Sequence, residues 1–446
     1  MRIVVTAVLL SLISIITQAQ DAAKALSPQL EGVQNRVLAG DNTAVDAFWN
    51  QVTREGAPLI EPDVAGSDLL LVTFVYRGTE TTRNVAIGGF IVGWEPEERF
   101  IKDQAMARLG DTNIWYKTFK VRSDARVSYL ISENEALLDN PRAKDVPRGN
   151  WRVDSLNPHR FFFAHDAEGP KLGVSEVSYV ELPAAPSLRW SKMRPGTPTG
   201  RVDLLRFKST AHGNSRRIWI YTPLNFERKR GSYDLLLLFD GWEYTHWIPT
   251  PTILNNLIFE SAIRPIVAVM IESTDRGREL TGSSQFVTFL SEELVPFLRK
   301  NYAATSDPTR TVVGGASLGG LAAAYAALRK PQVFGNVLSQ SGSYWWGSAP
   351  DQKPEEIVRE FQSSSRVPVR FYVEVGLLED YQGSDKPTQL KANRDFRDAL
   401  TQKGYNLKYD EFNGAMSSSI GRPRFLRRSQ LRAWCRRTCR HWLGKR

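Results

Sequence analysis

One stretch of this 446-residue chain, Thr311–Tyr325, limits the folds available to it more than any other. It consists of a β-branched run, a glycine-rich turn centred on Ser317 and a run of small helix-forming residues. Glycines on both sides of the serine permit a tight, strained turn that lifts the hydroxyl above the edge of a sheet. The pattern predicts a nucleophile elbow at Ser317, and a purely structural glycine turn is the alternative.

Strand-length and helix-length segments alternate around this turn. Continuous apolar strands that alternate with amphipathic helices indicate a mostly parallel sheet covered on both faces. We therefore predict an α/β-hydrolase domain over residues 201–414. Its predicted strands are Ile218–Thr222, Asp234–Phe239, Ile266–Glu272, Thr311–Gly314, Asn336–Ser339, Arg370–Val375 and Leu407–Phe412, and its predicted helices are Phe286–Lys300, Leu318–Arg329 and Leu390–Gln402.

The first part of the chain has a different apolar pattern, with a period of two residues. Runs such as Leu69–Tyr76 and Val85–Val92 are separated by turn residues, which is typical of antiparallel strands. We predict an all-β, immunoglobulin-like sandwich over residues 30–186. Residues 187–200 contain two prolines and are predicted to link the two domains.

The N-terminus has the form of a secretory signal peptide. Arg2 precedes an apolar run, Ile3–Ile16, which ends at the small-residue site Thr17-Gln18-Ala19. This run is shorter than the roughly 20 apolar residues that a membrane span needs. We expect residues 1–19 to be a signal peptide and the protein to be secreted or periplasmic, with no membrane span elsewhere.

The net positive charge of the chain, +10, comes from its end. Ten of the 58 Lys and Arg residues, and both cysteines, follow Gly414, and no Asp or Glu does. The remaining residues carry equal numbers of acidic and basic side chains, which argues against a nucleic-acid partner because phosphates require a basic surface. No Cys/His cluster has metal-ligand spacing, so we expect no metal cofactor.

A serine nucleophile needs donors for the oxyanion and an acid that orients a base. The elbow supplies the backbone N–H of Leu318, and a second N–H is expected from the loop after an early strand. The run Leu235–Trp242 contains such a strand and loop, and we nominate the N–H of Trp242. The alternative is that Asp240-Gly241 is only a turn and that Trp242 only packs. The acid is expected just past a later strand, where we choose Glu379 over its neighbour Asp380.

Two strings, Gly315–Leu321 and Leu338–Trp346, closely resemble the enterochelin (ferric enterobactin) esterases within the esterase D-like α/β-hydrolases. Asp275–Leu280 and Asp154–Pro158 are supporting fragments, and the resemblance covers about residues 35–414. It implies an N-terminal β-sandwich docked on an α/β-hydrolase domain. It also implies that the protein cleaves the ester bonds of iron-loaded catecholate siderophores.

The resemblance also assigns roles to individual residues. It implies that Ser317 is the nucleophile, Glu379 the acid and Arg276 a contact for anionic substrate, although Arg276 could equally form a surface ion pair. It implies no cofactor, because iron would arrive with the small-molecule ester substrate. The family often has Asn where this chain has Ser283, which weakens the transfer of substrate specificity.

The histidine that the family places after its last strand is missing here. Asn413-Gly414-Ala415-Met416 follows the strand Leu407–Phe412, and no histidine stands there. His246 follows the proposed oxyanion loop but is better explained by hydrogen bonding among neighbouring tryptophans. His441 would have to fold back from an arginine-rich tail, and charge-rich termini are usually solvated.

A shift of one nucleotide accounts for the missing histidine. With permitted codons for Ala415, Met416 and the serines that follow, the shifted frame reads Gly-Gly-His-Glu-Phe-Ile-Asn-Trp, which has the His and Trp spacing of the family's terminal motif. The same shift explains the ten basic residues and the two late cysteines. We therefore interpret residues 415–446 as an anomalous, frameshifted tail, and we call the chain encoded after reversing the shift the frame-restored chain.

The function predicted from the sequence is that of an exported serine carboxylic-ester hydrolase acting on catecholate siderophores such as enterobactin. One alternative is an esterase of feruloyl or other carbohydrate esters, because related esterase domains share the elbow. The other is a ligand-binding form without a base and without turnover.

Overall fold

The computed structural model describes residues 26–89, 101–139, 150–169, 175–229, 232–347, 353–380 and 387–415. The predicted signal peptide and residues 416–446, with His441, lie outside these ranges. The described residues form two compact units. The first unit contains the described residues up to Phe162 and those from 175 to Pro186, and the second contains residues 163–169 and the described residues from Ser187 onward.

The first unit begins with two helices and continues mainly as short strands. Its helices are α1 (Pro28–Leu38), α2 (Ala44–Glu55), α3 (Ile101–Gln104) and α4 (Ala136–Asp139). Its strands are β1 (Leu59–Pro62), β2 (Leu69–Arg77), β3 (Val85–Gly89), β4 (Ala107–Arg108), β5 (Ile114–Arg122), β6 (Arg126–Glu133), β7 (Arg160–Phe162) and β8 (Glu176–Glu181).

The prediction of an all-β first unit is wrong because α1 and α2 precede the strands. The Ser27 hydroxyl accepts the Leu30 N–H and caps α1, which has proline in its first turn. Helix α2 buries Phe48, Trp49 and Val52 at helical spacing. These side chains share a core with strand residues, so the helices belong to the unit itself.

The strands of the first unit form two antiparallel sheets of four strands, ordered β1-β2-β5-β4 and β3-β6-β8-β7. Phe74 of one sheet and Tyr129 of the other are fully buried, and their ring centroids lie 4.6 Å apart. The two sheets therefore meet at a shared apolar layer. An immunoglobulin-like arrangement of these strands stays a prediction.

The second unit alternates strands and helices. Its strands are β9 (Arg201–Ser209), β10 (Asn214–Thr222), β11 (Asp234–Phe239), β12 (Ile266–Ile271), β13 (Thr311–Ala316), β14 (Asn336–Gln340), β15 (Arg370–Gly376) and β16 (Asn406–Phe412). Its helices are α5 (Thr250–Phe259), α6 (Arg276–Glu279), α7 (Ser284–Thr288), α8 (Val295–Tyr302), α9 (Leu318–Arg329), α10 (Glu356–Ser363) and α11 (Gln389–Gln402).

These strands form one eight-stranded sheet, ordered β16-β15-β14-β13-β11-β12-β10-β9. Strand β10 runs antiparallel to both of its neighbours, and every other pair is parallel. Buried apolar side chains cover the sheet on both faces. The prediction of a mostly parallel α/β sheet is confirmed, with a mixed edge formed by β9 and β10.

Several predicted elements have bounds within two residues of the observed ones, and others were missed. The predicted helix Phe286–Lys300 is divided into α7, a π-helical segment Phe289–Leu294 and α8. Pro296 has no N–H to donate to a helical carbonyl, which favours such a break. Helices α5 and α10 and strand β9 were not predicted. None of the helices in the described ranges combines the length and the hydrophobicity of a transmembrane segment.

The close packing of the elbow helix generates a stability prediction. A Cβ added to Gly320 in α9 would lie 2.5 Å from the Ser339 Oγ and 3.0 Å from the Gly342 Cα. We expect Gly320→Ala to destabilise the second unit by about 1–3 kcal/mol through overpacking. Gly277→Ala is the control, since its Cβ would meet only a side-chain oxygen at 3.8 Å. Thermal unfolding midpoints check this, and equal midpoints for the two variants would contradict it.

Candidate active site

Ser317 stands at a strained turn between β13 and α9. Its backbone has φ 56° and ψ −120°, outside the regions that a non-glycine residue ordinarily adopts. The Ser317 N–H donates to the Gln340 carbonyl of β14 at 3.0 Å. A Cβ at Gly315 would lie 2.9 Å from the Gly319 Cα, so glycine is required where the strand and helix approach each other. This is the geometry of a nucleophile elbow.

The Ser317 hydroxyl forms its hydrogen bond with another serine. Its Oγ lies 2.9 Å from the Ser343 Oγ, and the Ser343 N–H donates to the Ser317 carbonyl at 2.9 Å. Ser343 is fully buried. Ser343 lies in the string Leu338–Trp346 that resembles the family, but the sequence alone predicts no role for this residue.

Helix α11 holds the segment that carries Ser343. The Gly342 carbonyl accepts from the Gln389 side chain at 2.7 Å and from the Asn393 side chain at 2.8 Å. The Trp345 indole donates to the Gln389 Oε1 at 2.6 Å. The segment after β14 is therefore fixed against the elbow by polar side chains that lie far away in sequence.

Glu379 lies just beyond β15, beside the end of β16. It is buried, and its Oε1 accepts from the Ser341 hydroxyl at 2.8 Å. A Cβ on Gly376 would touch the Gly414 carbonyl, would lie 2.7 Å from the Ala415 Cα and would lie 2.8 Å from the Glu379 Oε1. Glu379 therefore lies beside the point in the chain where the family is expected to have its histidine.

The other two acids of this region occupy different positions. Asp380 is exposed and accepts from the Thr388 hydroxyl at 2.7 Å. Glu374 is buried within β15, where Gln340 donates to it at 2.7 Å and Tyr372 at 2.8 Å. Burial and position thus favour Glu379 over Asp380, although its catalytic role stays a prediction.

The loop after β11, which contains Trp242, begins beside the elbow. Strand β11 pairs in parallel with β13, so their carboxyl ends are adjacent. A Cβ on Gly319, in the first turn of α9, would lie 3.6 Å from the Asp240 Oδ2. The N–H groups of Leu318 and Trp242 both lie at helix starts, where N–H groups lack intrahelical acceptors. This placement suits an oxyanion hole, and the assignment of both donors stays a prediction.

The Trp242 side chain packs, as the alternative interpretation held. Its indole donates to the Ala164 carbonyl at 3.1 Å, and the indole of Trp247 donates to the same oxygen at 3.0 Å. Its ring stacks on His246, with centroids 3.6 Å apart. Packing of the side chain leaves the backbone N–H of Trp242 available for a separate role.

Arg276 forms an ion pair beside the elbow. Its Nε lies 2.7 Å from the Asp240 Oδ1 and its Nη2 lies 2.9 Å from the Asp240 Oδ2. The same Nη2 lies 3.5 Å from the carbonyl oxygen of Ala316, the residue before the nucleophile. The ion-pair alternative from the sequence is therefore observed, and the direct contact with substrate stays a prediction.

The structure does not place His246 as a base for Ser317. His246 stacks on Trp242, and its Nδ1 lies 3.1 Å from the Trp242 carbonyl. Burial lowers the pKa of His246. Within the described ranges, no histidine is hydrogen-bonded to Ser317, and His441 lies outside them. Those ranges also contain no group of three or more His, Cys, Asp or Glu side chains arranged to hold a metal ion.

Residues 240–247, which follow β11 and include Trp242, are called the oxyanion segment, and Glu243 adds a titrating carboxyl group to it. Burial, and then the negative charge of Asp240, raise the pKa of Glu243 from the usual 4.5 to about 7. The Arg276 charge opposes this shift. No sequence pattern points to this residue, because its pKa shift arises from burial near a second carboxylate.

Two family models match the chain. A model described as "Enterochelin esterase, N-terminal" matches residues 71–191. A model described as "Putative esterase" matches residues 209–427. The two matches fall on the two halves of the chain that the sequence patterns distinguish.

Solved structures agree with this fold. The ferric enterobactin esterase of Salmonella typhimurium is 25% identical, covers 88% of this chain and 99% of its own, and superposes with a TM-score of 0.68. The second unit is accordingly an α/β-hydrolase-like domain with a mixed sheet.

Curated relatives identify the family. The iron(III) enterobactin esterase of Dickeya dadantii (strain 3937) is 31% identical over 335 residues, which are 71% of this chain and 76% of the relative. That of Escherichia coli (strain K12) is 29% identical over 340 residues, 73% of this chain and 82% of the relative. The chain belongs to the enterochelin (enterobactin) esterase family, and the family likeness supports an esterase.

The positions of the two acids generate a catalytic prediction. We expect Glu379→Gln to lower kcat of the frame-restored chain at least about 100-fold, because a neutral amide orients an imidazole wrongly and cannot stabilise an imidazolium. Asp380→Asn should change kcat less than about twofold, because its side chain is exposed. Ester hydrolysis measures both, and a larger loss with Asp380→Asn would reverse the assignment.

The raised pKa of Glu243 generates a pH prediction. Because its folded-state pKa lies above its unfolded value, the folded state binds more protons between pH 4.5 and about 7, and stability falls as the pH rises through that window. Glu243→Gln should therefore stabilise the second unit at pH 8, by at most about 3 kcal/mol, and have no such effect at pH 4. Thermal midpoints at both pH values test this, with Glu292→Gln as an exposed control. Equal gains at pH 4 and pH 8 would contradict it.

Proposed function

We propose that this protein is a serine esterase that hydrolyses the ester bonds of ferric catecholate siderophores such as enterobactin. The observation that carries the proposal is the elbow at Ser317, within a chain whose relatives over both units bear the name iron(III) enterobactin esterase. The match of residues 71–191 to the enterochelin esterase N-terminal model further supports a siderophore substrate, because it lies outside the esterase domain.

The mechanism begins with attack by the Ser317 Oγ on the ester carbonyl carbon. The proton of the hydroxyl passes to a histidine. The N–H groups of Leu318 and Trp242 stabilise the negatively charged oxygen of the tetrahedral intermediate. Glu379 orients that histidine and stabilises its protonated form. The histidine then protonates the departing alcohol, and water releases the acyl group from Ser317 by the same steps. Iron enters only as part of the substrate.

The histidine of this mechanism belongs to the segment after Gly414. Leu378 donates its N–H to the Gly414 carbonyl at 3.1 Å, one residue before Glu379, so the chain leaves β16 directly beside the proposed acid. The shifted reading frame gives Gly-His-Glu at this point. We infer that the chain as written keeps the nucleophile and lacks the base, and that the frame-restored chain is the active form.

We also propose that the protein is exported. The apolar run Ile3–Ile16 and the small-residue site after it support this proposal. Mass spectrometry of the N-terminus of the protein purified from a Gram-negative periplasm tests it. A mature N-terminus near residue 20 is expected, and retention of Met1 with the protein in the cytoplasm would overturn it.

A substrate panel tests the proposed function. We expect the frame-restored chain to hydrolyse ferric catecholate triesters with a kcat about 100- to 10,000-fold above that of the chain as written, because a positioned general base contributes that much. Ser317→Ala should abolish this activity, and Ser363→Ala, at an exposed serine, should not change it. Hydrolysis of feruloyl or acetyl sugar esters alone would reject the siderophore assignment. Tight binding without turnover in every form would favour a ligand-binding protein.

A further inference from the structure

We propose that Asp240 and Arg276 form a clamp that positions the oxyanion segment, residues 240–247, against the nucleophile elbow. In this role Arg276 acts on the reaction through the protein backbone, in addition to any contact with substrate. The inference rests on the proposed serine esterase activity and deepens it by adding two positioning residues.

The geometry of the pair connects three parts of the site. The guanidinium donates two hydrogen bonds to the Asp240 carboxylate, at 2.7 and 2.9 Å, in the parallel arrangement that fixes orientation as well as distance. The nitrogen that makes the second of these bonds also lies 3.5 Å from the Ala316 carbonyl oxygen, next to Ser317. One planar group therefore spans the oxyanion segment and the last residue of the elbow strand.

Asp240 is placed where its charge and its backbone both matter. Its φ of 58° turns the chain sharply at the end of β11 and directs the next residues into the oxyanion segment. Its side chain is only 11% exposed, so its carboxylate is largely withdrawn from water. Without a partner, that negative charge would repel the oxyanion that forms nearby, and Arg276 supplies the opposite charge.

The short helix that carries Arg276 is anchored through Glu279, which is buried. Glu279 accepts two hydrogen bonds from Arg216, at 2.8 and 2.9 Å, and one from the Thr274 hydroxyl at 2.7 Å. The Asp275 carboxylate caps α6 by accepting the Arg278 N–H. These contacts fix the short helix α6, which carries Arg276, to strand β10.

A second set of contacts holds the oxyanion segment independently of the Asp240–Arg276 pair. The indoles of Trp242 and Trp247 both donate to the Ala164 carbonyl, and Trp247 packs edge to face with Phe163, with centroids 5.0 Å apart. Loss of the clamp should therefore loosen the Asp240 end of the segment while the rest stays in place.

The test uses the full chain and compares Asp240→Asn, Arg276→Gln and the double variant with Arg278→Gln. Arg278→Gln removes the same charge from the same helix at an exposed position. The first readout is phosphonylation of Ser317 by a fluorophosphonate, separated into a binding constant and a chemical rate constant by intact mass. The second is hydrogen–deuterium exchange of peptides that cover residues 240–247.

The clamp predicts a loss of about 10- to 100-fold in the chemical rate constant for each single variant, because displacing oxyanion donors acts on the chemical step. The double variant should lose no more than the worse single variant, since the two residues act as one unit. Exchange should increase in residues 240–247 for these three variants and stay unchanged in Arg278→Gln.

Two results would overturn the clamp. One is that Asp240→Asn leaves the chemical rate constant unchanged while Arg276→Gln weakens only binding, which is the signature of a direct substrate contact. The other is unchanged hydrogen–deuterium exchange of residues 240–247 in all variants. The exchange measurement tests the clamp even if phosphonylation is too slow to measure. Labelling that persists in Ser317→Ala would instead refute the proposed nucleophile and leave the exchange result valid.

Discussion

The strained backbone of Ser317 determines the geometry at the centre of the candidate active site. A non-glycine residue at φ 56° persists only where its surroundings determine it. Here the carbonyl of Gln340 holds the Ser317 N–H, and Gly315 lets strand β13 meet helix α9 at a distance that no Cβ would permit. The position of the elbow in the middle of the sheet then determines where the other groups must come from. The proposed oxyanion donor Trp242 follows the adjacent strand β11, and the proposed acid Glu379 follows β15, which lies beyond β14 on the other side.

The polar contacts around the elbow join strand ends that are adjacent in the sheet and distant in sequence. Tyr244 donates to the Gln340 side chain at 2.7 Å, and Gln340 donates to Glu374 at 2.7 Å, so a buried chain of hydrogen bonds runs from the oxyanion segment across β14 to β15. Ser341, the next residue, donates to Glu379. Because buried polar groups are costly when unpaired, such a network fixes the relative positions of the strand ends. The proposed nucleophile, oxyanion donors and acid are thereby held by one continuous structure.

Features carried by local sequence could be predicted, and features that depend on long-range contacts could not. The bounds of α9 and β11 were predicted correctly, because each has a continuous pattern bounded by glycine, charge or turn residues. The prediction of strands at α1 and α2 is wrong, because the period-two pattern of the later strands does not continue into these two helices. The pairing of Ser317 with Ser343 joins residues 26 positions apart, and that of Arg276 with Asp240 joins residues 36 apart. A single sequence contains no signal for such pairs, so it does not predict Asp240 as the partner of Arg276.

Covalent trapping of an acyl group tests whether Ser317 is the nucleophile of an ester hydrolase. The frame-restored chain would be incubated briefly with a catecholate ester substrate, quenched with acid and mapped by peptide mass spectrometry. We expect one acyl group on the peptide that contains Ser317, lost in Ser317→Ala and accumulating when water attack is slowed at low pH. Hydrolysis with the acyl group on another residue, or undiminished turnover by Ser317→Ala, would show that Ser317 is not the nucleophile.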